Sequence, residues 1–270
     1  MPHGRDFMET TKEHVLDTFF DNLSRSTSRL LLLDYDGTLA PFTPNRLAAF
    51  PAPGISAALE DILTAGRTRV VFVTGRDCEE LAGLLGLKNP VEIWGCHGRE
   101  YRGPDGRTKT IGVSPEAQES LREGFEAARA AIGTAERTEY KTGCATVHWR
   151  GLDPTERERI SKAVLPVWQD MAGRHGFEIK DFDGGIELCV PGRTKGDAVN
   201  DLLAEYGDNT PTTAFLGDDL TDEDGFAALG SRGLPVLVRN EPRSTKAHTR
   251  IPMPEGVLEF LGRWRAIDSQ

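Results

Sequence analysis

The chain of 270 residues is poor in cysteine: Cys78, Cys96, Cys144 and Cys189 are far apart, and no two form a Cys-x-x-Cys pair. That leaves no disulfide framework to read, and the thiols read as ordinary reduced core residues. Long apolar runs are also missing; none approaches the roughly 20 residues of a membrane span. An excess of basic residues is absent too, with 32 Lys and Arg against 42 Asp and Glu and a net charge of -10. Nucleic acid and anionic membranes, which demand a basic surface, are thereby argued against as main partners. An anionic small substrate remains compatible, because a bound divalent cation reverses the local sign of an acidic site. The first 25 residues lack a signal-peptide core, so the expected compartment is the cytoplasm. No internal repeat or low-complexity tract is present. Nothing specifies an oligomer, and a monomer is the expectation.

What is there is an alternation. Residues 11–24 place Val15, Phe19, Phe20 and Leu23 at helical spacing. The run Leu30–Leu33 ends in Asp34 and Asp36 and fits a buried parallel strand. A helix over 54–66, a strand over 68–76, a helix over 77–86 with Asp77 as N-cap, and a strand over 91–98 follow. This is the pattern of a doubly wound parallel sheet, whose ligands bind at the carboxyl ends of the strands. From about residue 103 the order changes to helix (115–133), strand pair (136–141, 144–150), helix (153–176), strand pair (177–182, 185–190). The second pair turns across Asp183-Gly184. The alternation then resumes with a helix (195–207), a strand (212–219), a helix from 221 and a last strand (234–240). The expected organisation is a core of residues 1–102 and 191–270 interrupted by an α+β cap, αββαββ, over 103–190.

Three strand ends carry the chemistry. Asp34 and Asp36 are two residues apart, so their side chains point the same way along an extended strand. Two carboxylates held together force one to protonate or require a cation. A second acidic group, Gly217-Asp218-Asp219 through Asp222 and Asp224, ends another apolar strand. A hard cation with oxygen ligands, Mg²⁺ beside a phosphate, is the economical solution; helix N-capping is the alternative for Asp222 and Asp224. Thr74 and Arg76 end one strand, and Arg193 and Lys195 precede a helix. A hydroxyl, an ammonium and a helix N-terminus make a phosphate cradle.

In their order, "DYDGT", "VTGR", a lysine before a helix and "GDDLTDED" resemble the four motifs of the haloacid-dehalogenase-like (HAD) phosphatases. The resemblance implies a HAD-like core with a C2-type cap, Asp34 as the nucleophile and Asp36 as the general acid and then base. It implies Thr74 and Lys195 on the phosphoryl oxygens. Mg²⁺ would lie on Asp34, the Asp36 carbonyl and Asp218, with Asp219 and Asp222 supporting.

Within that group, "GCHGRE", "KTGCATVHWR" and "GIELCVPGRTKGDAV" look like the trehalose-6-phosphate phosphatases. That resemblance implies a sugar-reading set of Glu139, Lys141, His148, Arg150 and Glu187 from the cap, with His97 from the core; Arg76, on the phosphate side, is the remaining expected substrate-binding residue. A solvated strand face is the alternative for the cap residues. Thr142, Arg99 and the position of Pro191 depart from the family pattern, and all three are expected near the sugar-reading surface. The implied activity is hydrolysis of trehalose 6-phosphate, a small-molecule sugar phosphate. The alternatives are a phosphatase of a related glycosyl or pseudo-disaccharide phosphate such as glucosylglycerol phosphate, a phosphomutase, or a non-catalytic sugar-phosphate sensor.

Overall fold

The computed structural model describes residues 4–43, 45–182 and 184–270, with side chains from residue 14 onward. Asp183, expected in a turn, lies outside the described residues. The chain begins with helix α1 (Gly4–Arg25) and strand β1 (Arg29–Leu33). Then come α2 (Ile55–Ala65), β2 (Thr68–Val73), α3 (Cys78–Leu85), β3 (Glu92–Gly95), β4 (Glu100–Arg102) and β5 (Thr108–Thr110). The middle comprises α4 (Pro115–Ile132), β6 (Thr138–Lys141), β7 (Cys144–His148), α5 (Pro154–His175), β8 (Glu178–Phe182) and β9 (Gly185–Cys189). The last part is α6 (Lys195–Ala204), β10 (Thr212–Gly217), α7 (Asp222–Leu229), β11 (Leu234–Val238), β12 (Thr249–Ile251) and α8 (Glu255–Asp268).

Among the described residues the larger sheet has eight strands in the order β12-β11-β10-β1-β2-β3-β4-β5. The first six are parallel. The apolar run of β1 is the centre of that sheet and is buried on both faces. Leu31 and Leu33 pack under α1, α2 and α8 with Phe72, Leu216 and Trp264. Leu30 and Leu32 face α6 and α7 through Val199, Leu202 and Phe226. Each such leucine contributes about 1.5–3 kcal/mol by leaving water. A strand with helices on both sides has no polar face to show, which is why the run does not alternate. Asp268 closes α8 onto the sheet through Arg29 (2.6 Å) and Thr68 (2.7 Å).

Three expectations are corrected. The strand over 234–240 is not the last; β12 and α8 follow it. The strand over 91–98 stops at Gly95, because Cys96 and His97 take left-handed backbone conformations (φ 48° and 55°). The sheet also does not stay parallel, since β4 and β5 add an antiparallel edge. The expected boundary at 102/103 therefore falls inside the β4–β5 hairpin.

The smaller sheet is antiparallel, in the order β6-β7-β9-β8. One face, with Ala145, Val147, Ile186 and Leu188, packs on α4 and α5. Asp153 caps α5 by accepting from the Thr155 and Glu156 N–H groups. Among the described residues no helix is long and apolar enough to cross a membrane.

Candidate active site

The sheet order reverses at β1, from which β2 and β3 run one way and β10 and β11 the other. A crevice opens at the strand ends at such a switch point. Asp34 leaves β1 there, and Asp218 leaves the neighbouring β10. Their approach needs Gly37 (φ 79°), where a Cβ would stand 2.1 Å from Asp218 Oδ2.

Lys195, the first residue of α6, is buried between two of these acids. Its Nζ donates to Asp34 Oδ1 at 2.6 Å and to Asp222 Oδ1 at 2.7 Å. The capping box of Thr194 and Asp197 fixes that helix start. Burial works against the Lys195 charge, but Asp222 and Asp34 outweigh it and hold its pKa well above the ordinary lysine range. The other Asp34 oxygen accepts from Thr38 Oγ1 at 3.1 Å. Asp222 Oδ2 accepts from the backbone N–H groups of Asp218 and Asp219, at 2.9 Å each. Asp222 is thus fully engaged in holding the loop and the lysine. Asp219 turns to its own loop and accepts from the Leu220 N–H.

Asp34, Asp218 and Asp222 each offer a carboxylate oxygen, all within 4.8 Å of one another and all buried. One ammonium among three carboxyls leaves an excess of negative charge. Burial, then the Asp34, Asp222 and Asp219 carboxylates, raise the Asp218 carboxyl well above its ordinary range. Burial likewise raises Asp34 against the pull of Lys195, with Asp222 and Asp36 adding to the rise. An all-oxygen donor set short of positive charge fits a hard divalent cation.

Asp36 is not free at the strand end. Arg76 Nε and Nη2 donate to its two oxygens at 2.7 Å each, and Arg76 Nη1 bonds Glu80. The structure thus places Arg76 on Asp36, at the wall of the crevice. Thr74 is buried, and its Oγ1 accepts from the Arg76 N–H at 3.1 Å. Arg193 turns away from Lys195 to Asp201 (2.5 Å) and the Gly98 carbonyl. Asp224 is exposed on α7.

The cap sheet presents its other face to this crevice. Glu139, Thr146 and Glu187 stand opposite one another across β6, β7 and β9, as do Lys141, Cys144 and Cys189. Lys141 Nζ lies 3.3 Å from Glu139, 3.6 Å from Glu187 and 3.1 Å from the core carbonyl of Gly75, to which it donates. His148 Nε2 meets Glu139 at 2.9 Å, and His97 Nε2 lies 3.3 Å from Glu187. The His97 ring lies over Gly75, where a Cβ would stand 2.7 Å from it. The left-handed pair Cys96-His97 is what turns that ring there; its strain is held by the Cys96 and His97 N–H groups bonding Arg76 and Thr74 carbonyls (2.8 and 3.0 Å). Burial pushes the Glu187 carboxyl up, but His97 and Lys141 outweigh it and hold it below the ordinary range. Arg150 stacks on the Phe42 ring, 3.8 Å from its centroid. Core and cap line a cavity of about 500 Å³ that takes in every expected site residue except Asp222, Asp224 and Arg193. That volume is in the range of small-molecule sites.

Residues the sequence did not single out also meet here. Thr38 touches Asp34 and reaches Asp218 at 3.5 Å. Arg46 links the core to the cap, bonding Glu80 and Glu139. Arg243 donates to the carbonyls of Asp218 (3.1 Å) and Asp219 (2.9 Å). Only Thr38 carried a local signal, as the end of "DYDGT". The three family departures, Arg99, Thr142 and Pro191, do not line the cavity. Arg99 is buried and donates to the carbonyls of Gly112, Val190 and Pro191, and Thr142 Oγ1 donates to Glu100 at 2.6 Å. They form the seam between core and cap.

The trehalose-phosphatase family model matches residues 32–253. The trehalose-phosphate phosphatase of Mycobacterium tuberculosis (strain H37Rv) is 30% identical over 248 residues, 86% of this chain and 60% of that protein. The chain thus spans about 60% of the length of the curated relatives it matches. The C-terminal domain of C. albicans trehalose-6-phosphate phosphatase superposes with a TM-score of 0.80, covering 93% of this chain and 96% of that one, at 25% identity. The C-terminal domain of a Candida albicans trehalose synthase regulatory protein shares the fold at 12% identity, with a TM-score of 0.70 over 93% of this chain and 97% of that one. With the family model spanning both halves of the core and the whole of the cap sheet, the chain belongs to the trehalose-phosphatase family.

Proposed function

We propose that the protein is a Mg²⁺-dependent phosphatase that hydrolyses a disaccharide monophosphate, trehalose 6-phosphate above others, to the free sugar and phosphate. The observation that carries this reading is the buried Asp34–Lys195 pair, backed by Asp222, facing the Glu139–Lys141–Glu187 group across one cavity. The first suits phosphorus and the second suits hydroxyls. A non-catalytic sensor is the second reading, favoured by the fold shared with the regulatory protein. Against it, the acids and the lysine that phosphoryl transfer needs are all present and in contact.

In this reading one Asp34 oxygen attacks phosphorus, the bond to the sugar oxygen breaks, and Asp36 gives that oxygen its proton. An aspartyl-phosphate forms on Asp34. Water then attacks phosphorus, Asp36 takes its proton, and the bond to Asp34 breaks. Lys195 and Thr74 steady the phosphoryl oxygens, and positioning supplies most of the acceleration. Asp34, Asp218 and the Asp36 carbonyl would hold Mg²⁺, which when bound neutralises charge between the carboxylates and the phosphate. Asp222 sets Lys195 and the Asp218 loop in place. Arg76 orients Asp36 instead of binding phosphate. Glu139, Lys141, His148, Glu187 and His97 read the sugar hydroxyls, since a site built of paired polar groups rejects ligands that leave them unpaired. The cap is taken as residues 111–190, because β5 pairs with the core sheet.

The test is phosphate release from a panel of sugar phosphates with and without Mg²⁺. Preference for trehalose 6-phosphate is expected. Preference for another glycosyl phosphate would replace the substrate, and binding without release would favour the sensor.

A further inference from the structure

Cys144 and Cys189 are not isolated core thiols. They stand directly opposite each other on β7 and β9, with their sulfurs 2.6 Å apart. The bond from the Val190 N–H to the Gly143 carbonyl, one residue along, makes them a non-hydrogen-bonded pair. In such pairs the Cα atoms approach to about 4.5 Å, inside the roughly 4.4–6.8 Å that a disulfide bridges. Both side chains share the site-facing side of the cap sheet with the sugar-reading group. Cys189 Sγ donates to Glu187 Oε2 at 3.8 Å, and Lys141 stands opposite Cys144 on β6.

We propose that Cys144 and Cys189 form a redox-modification site, in which peroxide closes a cross-strand disulfide on the site-facing side of the cap sheet and weakens substrate binding. The first thiol takes an oxygen from hydrogen peroxide, giving a sulfenic acid and water. The second sulfur attacks the sulfenic sulfur; the S–S bond forms, the S–O bond breaks, and the hydroxyl leaves with the thiol proton as a second water. Two thiols lose two electrons to one peroxide, and a dithiol reductant reverses the change. The Cys144 sulfur and burial raise the Cys189 thiol well above its ordinary range, which slows its reaction with peroxide. Cys144, Cys189 and Glu187 also present a three-donor cluster. Lys141, 3.6 Å from Glu187, and Lys180, opposite Glu187 on β8, set two ammonium groups beside it and oppose a cation there. A disulfide is neutral and meets no such opposition. Closing it removes the S–H donor from Glu187 and restrains the strand beside Lys141.

The test treats the protein with hydrogen peroxide, alkylates it after denaturation and maps the peptides. Two of the four cysteines should resist alkylation until dithiothreitol is added, and the linked peptide should join Cys144 to Cys189. Four alkylated cysteines after peroxide, or a bridge using Cys78 or Cys96, would overturn the site. This measurement uses the unsubstituted protein and does not depend on activity. A second arm rests on the sugar-phosphate reading. Oxidation should raise KM about fivefold, the effect of losing one weak buried donor, reversibly and not in Cys189→Ser. An unchanged KM in cross-linked protein would overturn the regulatory half, whereas no turnover by the reduced protein would overturn only the sugar-phosphate reading.

Discussion

Arg76 grips Asp36 as a fork, Nε and Nη2 each donating at 2.7 Å to a different carboxylate oxygen. Such bidentate pairs add geometric definition as well as energy. The Arg76 guanidinium is itself fixed by Glu80 and lies 5.5 Å from the Tyr35 ring centroid. Tyr35 is buried between the two acids in sequence and anchors by donating to the Ala49 carbonyl at 2.6 Å. The segment "DYDGT", which follows β1, is therefore held through both Tyr35 and Asp36, and the aim of Asp36 depends on a residue 40 positions away.

If Arg76 aims Asp36, replacing the fork by a point charge should cost turnover and not affinity. Arg76→Lys is expected to lower kcat about 10- to 100-fold, at or below the low end of the roughly 10²–10⁴-fold scale of general acid–base catalysis because Asp36 is misaimed and not removed, with KM within about threefold. Steady-state kinetics decides; a raised KM at unchanged kcat would return Arg76 to the phosphate.

The three clustered carboxyls make a second expectation. Chelation should abolish turnover, and Mg²⁺ should restore it. Mg²⁺ should also raise the melting temperature of the substrate-free protein, because a ligand of the native state stabilises it. In Asp218→Asn both the thermal shift and the recovery should disappear. A full Mg²⁺ shift in Asp218→Asn would remove Asp218 from the metal site.

Much of this was legible because it is local. An apolar run that ends in acids marks Asp34 and Asp218 from their own neighbours, and "GRTKGDAV" marks Lys195 as a helix start. The strand β12 has three residues, too few for a period to show. The edge strands β4 and β5 are polar and partly exposed, so no apolar alternation announces them. Helix α8 was readable, since Val257, Phe260, Leu261 and Trp264 keep the 3, 4, 7 spacing of a buried stripe. Arg46, Arg99 and Arg243 were not. Each works through carbonyls or carboxylates far along the chain, and only the closed fold brings those together.

Lys141 should read the sugar and leave phosphorus alone. Lys141→Met removes the cation between Glu139 and Glu187 while keeping much of the side-chain volume. KM for a disaccharide phosphate should rise at least about tenfold, in line with the loss of a charged hydrogen bond. Hydrolysis of an aryl phosphate too small to reach the cap should change less than about twofold, within the span of a surface substitution. Equal losses on both substrates would mean that the substitution disturbs the core site.

Arg99 holds both core–cap connections, since Gly112 lies on one and Val190-Pro191 on the other. A Cβ at Gly143 would stand 2.3 Å from its Cδ, so the cap turn is built around this side chain. Arg99→Ala leaves buried carbonyls without donors and should destabilise by about 2–4 kcal/mol. Urea unfolding measures it. A loss below about 0.5 kcal/mol would show that the seam holds without Arg99.

Glu139 gives the acid limit of the cap. Burial pushes its carboxyl up, but Lys141, His148 and Arg46 outweigh that and hold it at about 2. An unfolded glutamate titrates near 4.3. A depressed folded pKa contributes stability that is whole above the unfolded value and is lost as pH falls toward the folded one. The contribution of Glu139, on the order of 3 kcal/mol, should therefore fade between about pH 4.5 and about pH 2. Glu139→Gln should be less stable than the unsubstituted protein at pH 7, because Lys141 and Arg46 keep their charge and lose their partner. Its stability should also fall less steeply below about pH 4.5, since one titrating partner is gone. Urea midpoints across that range test this, and parallel pH slopes in the two proteins would show that Glu139 is not held ionised by the cap.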